Sequence, residues 1–432
     1  MKLTHKVLLV TSSGGGGLLQ AARAKQQEIV DSYPNAVVLE RDVMLHWMWR
    51  PLGRIFVYLW NRAQMRGDVR AQSFFGGAGA VFAEYIFWPH IFVCSLYILF
   101  KEKVDRVIDT QIFGTTAILK AIRIYNRHRG KNVVLEKVLV DLPTKKATHF
   151  FLPIRALSNN DRKHFRLVTI APLLQEGESE EEFWKKNCKL TANELLYEDC
   201  YVRRAFRKYR TEEKIPEKLF IRTKTDLEKQ MVLKISSSGS LPMIEKVDGI
   251  EFKISSDVCV FTLLLGSQPA SNATMNYIQK VVEAAKKVPN RQICFFAFTA
   301  EFKEKQDSLF SKVFSWIDAL NSIPSNLTLI PMSFQQDDVI APLFTRSNAT
   351  CTRSGGQTAM ELMSVARGKI WIHSEAKGAF PSHEELLQGI PGWESENAVY
   401  LEKAKGASLV TPEIIAPLLD DLFKNEFSYS GA

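Results

Sequence analysis

Twice in this chain a short apolar run stops at a glycine cluster and gives way to a helix-like stretch. The first run is Val7–Thr11, followed by Gly14–Gly17 and then Leu18–Ser32. The second is Ala349–Thr352, followed by Ser354-Gly355-Gly356 and then Thr358–Ala366. Strand, glycine turn and helix in that order form the opening unit of a parallel, doubly wound sheet. The alternation continues around each turn. Ala36–Glu40, Val104–Asp109 and Val133–Val140 read as further strands of the first block, with Phe113–Asn126 as a helix. Val258–Leu265, Gln292–Phe298, Leu327–Ile330 and Lys369–His373 read as strands of the second, with Asn272–Lys287 as a helix. The expected fold is therefore α/β, with two doubly wound, Rossmann-like domains facing an inter-domain cleft.

At 432 residues the chain exceeds one ordinary core, and it suits two domains of about 200 residues each. We place an N-terminal domain at 1–170 and a C-terminal domain at 256–432. The stretch between them, 171–255, reads as an irregular insertion or linker. It holds an acidic run over Gln175–Glu182 and a basic run over Tyr201–Arg210. Both read as solvated helix faces, the alternative for the basic run being a face turned to phosphate or anionic lipid. The net charge of +9 favours an anionic partner, and a nucleotide, an anionic lipid surface or nucleic acid would each satisfy it. No nucleic-acid recognition motif accompanies the charge, so no nucleic-acid partner is expected. The six cysteines show no C-x-x-C pair and no metal-ligand spacing. They read as reduced thiols of a cytoplasmic protein. The N-terminal run reads as a first strand and not as a signal peptide.

Between Gly76 and Phe100 the only charged side chain is Glu84. Such a stretch is long enough to span a bilayer, but Trp88-Pro89-His90 interrupts it near the middle. Upstream, Trp47, Trp49, Arg54 and Trp60 place tryptophan beside arginine, an interfacial pattern. Three arrangements fit: a domain helix, a membrane-surface contact through those four residues, or a true span.

The second glycine turn carries the chemistry. Glycines at 355 and 356 let backbone approach a ligand without a Cβ in the way. The free N–H groups of the following helical turn, with the helix dipole, suit a diphosphate. Ser354 and Thr358 add hydroxyl donors, and Glu361 could accept the two hydroxyls of a ribose. Thr358-x-x-Glu361 also fits a capping box, in which both residues serve only the helix end.

The order Ser354, Gly355, Gly356, Thr358, Glu361 after a strand resembles the donor loop of glycosyltransferase family 28. That family includes the bacterial lipid II GlcNAc transferase and monogalactosyldiacylglycerol synthase. The stretch Asn397-Ala398…Leu401…Gly406-Ala407 is similar to the family's Asn-Ala…Leu…Gly-Ala pattern. The Asp109-Thr110-Gln111 strand end and Asp141-Leu142…His149 also resemble family stretches. Two departures stand out. Leu18 occupies the position of the family's glycine-loop His, and the usual Gln-Gln pair before Asn397 is absent, the nearby candidates being Trp393, Glu394 and Glu396.

The resemblance implies a GT-B fold and an inverting transfer of a hexose or N-acetylhexosamine from a nucleotide sugar, by family expectation a UDP-sugar. The implied acceptor is a membrane lipid, met at the cytoplasmic face of a membrane by a peripheral enzyme. It implies nucleotide-sugar contacts from Arg353, Ser354, Gly355, Gly356, Gln357, Thr358, Glu361 and Glu394, and from Gly15, Gly16, Gly17, Gly266 and Ser267. Asp141 and His149 are the candidate bases for the acceptor hydroxyl. No Asp-x-Asp motif occurs, so no metal or other cofactor is expected, and the leaving diphosphate would rest on the helix N-terminus and Arg353. Two other readings stay open. One is a GT-B enzyme acting on a protein or soluble acceptor, or a sugar-nucleotide epimerase. The other is a non-catalytic nucleotide-binding subunit, which the loss of the loop His would explain.

Overall fold

The computed structural model describes residues 5–13, 16–48, 50–303, 308–319 and 323–425. Strands β1 (Lys6–Thr11), β2 (Val37–Asp42), β3 (Arg106–Asp109), β4 (Leu135–Val138), β5 (Phe165–Thr169) and β6 (Leu195–Tyr197) form one sheet in the order β2-β1-β3-β4-β5-β6. Every pairing in it is parallel. Strands β7 (Lys218–Arg222), β8 (Met243–Lys246) and β9 (Gly249–Lys253) make a small antiparallel sheet. Strands β10 (Cys259–Leu264), β11 (Ile293–Phe298), β12 (Leu327–Met332), β13 (Ala349–Thr352), β14 (Lys369–His373) and β15 (Ser408–Val410) form a second parallel sheet, ordered β12-β11-β10-β13-β14-β15. Two doubly wound sheets across a cleft are the GT-B arrangement expected from the sequence.

The middle of the chain is more regular than expected. β6 extends the first sheet past residue 170, and the small sheet packs on the second domain. Gln335 clamps β7 there, accepting from the Arg222 N–H and donating to its carbonyl, both at 2.9 Å. The crossover lies at Cys200–Arg203. Tyr201, Val202 and Phe206 continue one buried apolar cluster from Val138 and Val168 to Phe344 and Leu362.

The long apolar stretch is a single helix, Ala78–Glu102, and Pro89 does not break it. Pro89 and Tyr85 both lie on the exposed face, so the carbonyl that loses its helical donor is not trapped in the core. Glu84 is buried. Its carboxylate accepts from the Gly114 N–H and, at 2.6 Å, from Thr116 Oγ1. Gly114 is the N-cap of helix Thr115–Arg129 and offers no capping side chain. Glu84 therefore caps that helix from outside, where its charge also suits the helix dipole. Among the described residues, Phe82–Glu102 is the one stretch long and apolar enough to cross a membrane, and a third of it is buried in the first domain.

Candidate functional site

A doubly wound sheet binds ligands beyond the carboxyl ends of its strands, at the point where strand order reverses. In the first sheet that point lies between β1 and β3, and in the second between β10 and β13. The loops leaving these four strands line one cavity. Gly16, Gly17 and Leu18 follow β1, and Ile112 and Phe113 follow β3. Gly266 and Ser267 follow β10, and Arg353, Gly355 and Gly356 follow β13. The cavity holds about 220 Å³. Phe56, Trp60, Phe75, Phe298, Phe334, Phe344 and Trp393 give it an aromatic wall.

The glycines at the mouth are there for space. A Cβ on Gly356 would overlap the Val140 carbonyl, and one on Gly16 would lie 3.0 Å from Ser267 Oγ. Helix Gly356–Val365 thus starts directly against the backbone of the opposite domain. Its N-cap is Gly355, with no side-chain cap, so the capping-box reading of Thr358 and Glu361 fails. Ala359 is the first intrahelical donor, which leaves the Gly356, Gln357 and Thr358 N–H groups facing the cavity mouth without intrahelical partners. Gly15 lies outside the described residues, as does Trp49.

The donor-side residues divide. Arg353, Gly355, Gly356, Gln357, Thr358, Glu361, Glu394, Gly16, Gly17, Gly266 and Ser267 line the cavity. Ser354 does not: its hydroxyl donates to the Glu394 carbonyl at 2.7 Å, so it braces the loop and has no proton left for a phosphate. Glu361 is not free either. Arg203 holds it bidentately, Nε to Oε1 at 2.8 Å and Nη2 to Oε2 at 3.0 Å, with both side chains about 95% buried (5% and 4% exposed). Oε1 also accepts from Gln357 Nε2 at 3.3 Å, so the lone pair left for a ligand hydroxyl is on Oε2. Arg353 pairs with Glu394 at 3.1 Å and also donates to Gln72 of the first domain. Burial pushes the Glu394 carboxyl above its ordinary range; Arg353 opposes this shift and the Asp141 charge adds to it.

Asp141 sits on the cavity wall, and His149 sits behind it. His149 Nε2 is 2.9 Å from Asp141 Oδ2, and the imidazole does not line the cavity. His149 is thus placed to hold the aspartate, and it is not placed to meet an acceptor. Among the described lining residues of the first domain, Asp141 is the only ionisable side chain. Leu18 lines the cavity as an apolar side chain. His373 is buried against Tyr277 at 2.9 Å, and His383 is exposed and paired with Glu402. Among the described residues, no three His, Cys, Asp or Glu side chains gather as metal ligands.

Of the tryptophans expected at a membrane surface, the two that are described, Trp47 and Trp60, are inside. Trp47 is 4% and Trp60 8% exposed. Trp60 stacks on Trp393 across the cleft, with centroids 6.3 Å apart and planes at 21°. Trp393 fits edge-on against Gly76, where a Cβ would overlap its ring. Of the four residues, Arg54 alone is seen exposed. The outward side of helices Arg50–Met65, Val69–Gly76 and Ala78–Glu102 instead carries Ile55, Tyr58, Phe74, Phe82, Tyr85 and Tyr97, all exposed. Sequence reading missed Arg203, one of four arginines in the Tyr201–Arg210 run and without a distinguishing signal. It also missed the cross-cleft contacts of Trp393.

No protein-family model matches the sequence, and no curated protein matches it. Solved structures resemble it in overall chain course. MurG of Acinetobacter baumannii is 11% identical, with 97% of this chain and 90% of that chain covered and a TM-score of 0.40. UDP-GlcNAc 2-epimerase of Neisseria meningitidis, bound to UDP-GlcNAc, is 13% identical over 97% and 100% of the two chains, with a TM-score of 0.41. The spinosyn rhamnosyltransferase SpnG, complexed with thymidine diphosphate, is 11% identical over 98% and 90%, with a TM-score of 0.41. At these scores none of the three bears on what this chain binds.

Proposed function

We propose that the cleft binds a nucleotide sugar, with UDP as the expected nucleotide, and transfers its hexose or N-acetylhexosamine with inversion to a lipid-type acceptor. One observation carries this reading: both topological switch points and an uncapped helix N-terminus open onto a cavity that contains Asp141. Asp141 takes the proton of the acceptor hydroxyl, and that oxygen forms the new bond to the anomeric carbon. The bond from that carbon to the diphosphate breaks on the other side, and its electron pair leaves with the diphosphate oxygen. The N–H groups of Gly356, Gln357 and Thr358 receive the growing negative charge, with Arg353 beside them. Glu361, steadied by Arg203, accepts from the ribose. No step requires a metal. A screen of nucleotide sugars by thermal unfolding tests the donor. A ligand at 100 times its Kd adds about 2.7 kcal/mol, a rise on the order of 5–10 °C. If no nucleotide sugar moves the midpoint, the reading fails.

The lipid side of the proposal rests on the outward stripe of helix Ala78–Glu102. Phe82, Tyr85, Ile86, Val93 and Tyr97 recur at helical spacing on its exposed side. Arg54, Arg62 and Arg70 are exposed on the two helices before it, and Arg66 in the turn between them. Exposed aromatics with exposed arginines on neighbouring elements suit docking on an anionic bilayer, not a span. Changing Phe82, Tyr85 and Tyr97 together to Ser is expected to weaken liposome binding about tenfold or more, read by co-sedimentation. Equal pelleting of parent and variant would remove the membrane from the proposal.

A further inference from the structure

Asn397 has no part in the reading above, yet it joins the two domains at the reacting centre. It lies in helix Gly392–Lys405 and is fully buried. Its Nδ2 donates to Asp141 Oδ1 at 3.1 Å and to the Ser354 carbonyl at 2.9 Å. Its Oδ1 accepts from the Leu142 N–H at 3.1 Å. Only one orientation of the amide satisfies all three. A flip would set oxygen against a carboxylate and a carbonyl, and nitrogen against an N–H. Asp141 and Leu142 belong to the first domain, Ser354 and Asn397 to the second.

We propose that Asn397 is a positioning residue that fixes the Asp141 carboxylate from the opposite domain, so that the base is oriented only when the cleft is closed. This rests on the transferase reading of the cleft. Asp141 Oδ2 is held by His149 from its own domain, and Oδ1 by Asn397 from the other. With both oxygens held, the carboxylate cannot rotate. When the domains part, Asn397 leaves with its helix and one of the two restraints is lost. The same amide holds the Ser354 carbonyl at the entry to helix Gly356–Val365, so one side chain registers the donor loop and the base together. Misplacing a catalytic group by about 1 Å can cost on the order of 100-fold in rate.

The test separates positioning from mere closure. Asn397→Ala is expected to lower kcat about 10- to 100-fold while donor KM stays within about threefold. The nucleotide-induced rise in Tm is retained. Lys146→Ala is the control, because half-exposed Lys146 joins the same helix to the first domain through Ser395 and Glu396 at 3.3 and 3.4 Å without touching Asp141. Its kcat is expected to match the parent. An active parent with an unchanged N397A kcat overturns the proposal, as does a loss of donor affinity equal to the loss of kcat. Should N397A not fold, N397S carries the same test with a small polar side chain in the slot. A parent that binds no nucleotide sugar defeats the transferase reading itself, which is a separate and recognisable outcome.

Discussion

Asp141→Asn is expected to reduce sugar transfer by about 10²- to 10⁴-fold, the usual contribution of a general base. Nucleotide binding should survive. The change is isosteric, and the new amide oxygen can still accept from Asn397 Nδ2, as Asp141 Oδ1 does at 3.1 Å. The other half of the amide faces His149, whose ring can adopt the tautomer that accepts. What disappears is a group able to take a proton at the one ionisable position among the described residues lining the first domain's side of the cavity. Steady-state transfer together with the nucleotide-induced thermal shift checks this. A variant that turns over within tenfold of the parent would mean that the base is elsewhere.

The largest effect on stability is expected at the Arg203–Glu361 pair. Glu361→Ala leaves a buried guanidinium whose remaining carboxylate, Asp337, stands 4.0 Å away, and breaking such a buried pair costs about 3–5 kcal/mol. Gln357 Nε2, 3.3 Å from Glu361 Oε1, loses a partner as well. The melting temperature should fall on the order of 10 °C. Ribose recognition therefore cannot be read from the alanine variant, because lost binding and lost fold would coincide. Replacing both partners with apolar residues, R203M with E361L, removes the stranded guanidinium, and such replacements are often close to neutral. That double variant is expected to melt near the parent and to bind nucleotide poorly. If E361A alone melts within about 2 °C of the parent, the pair is not a buried dependency of the fold.

The sheets were legible because central parallel strands, covered on both faces, read as continuous apolar runs. Ala349–Thr352 and Lys369–His373 fall where the pattern places them. The Val133–Val140 run is cut to Leu135–Val138, and beyond its end Asp141 and the Leu142 N–H meet Asn397. β6 and β8 were hidden by size and exposure. One is three residues long, and the other has mostly exposed side chains. The glycine turns were legible as cavity walls, but the commitments of their side chains were not. Nothing near Ser354 in sequence announces the Glu394 carbonyl, forty residues on. Trp60 illustrates another limit. Tryptophan beside arginine looks the same whether it turns inward or outward. Trp60 sits about 200° around the helix from exposed Tyr58, and only packing decides which side is in.

Parting the domains must separate Trp60 from Trp393, because one indole belongs to each side of the cleft. The pair is therefore a native optical gauge of closure. Indole emission responds to stacking and to water, so nucleotide binding that tightens the cleft and any motion that opens it move the signal in opposite directions. No label is needed, and the timescale of opening becomes accessible to stopped-flow fluorescence on the unmodified chain.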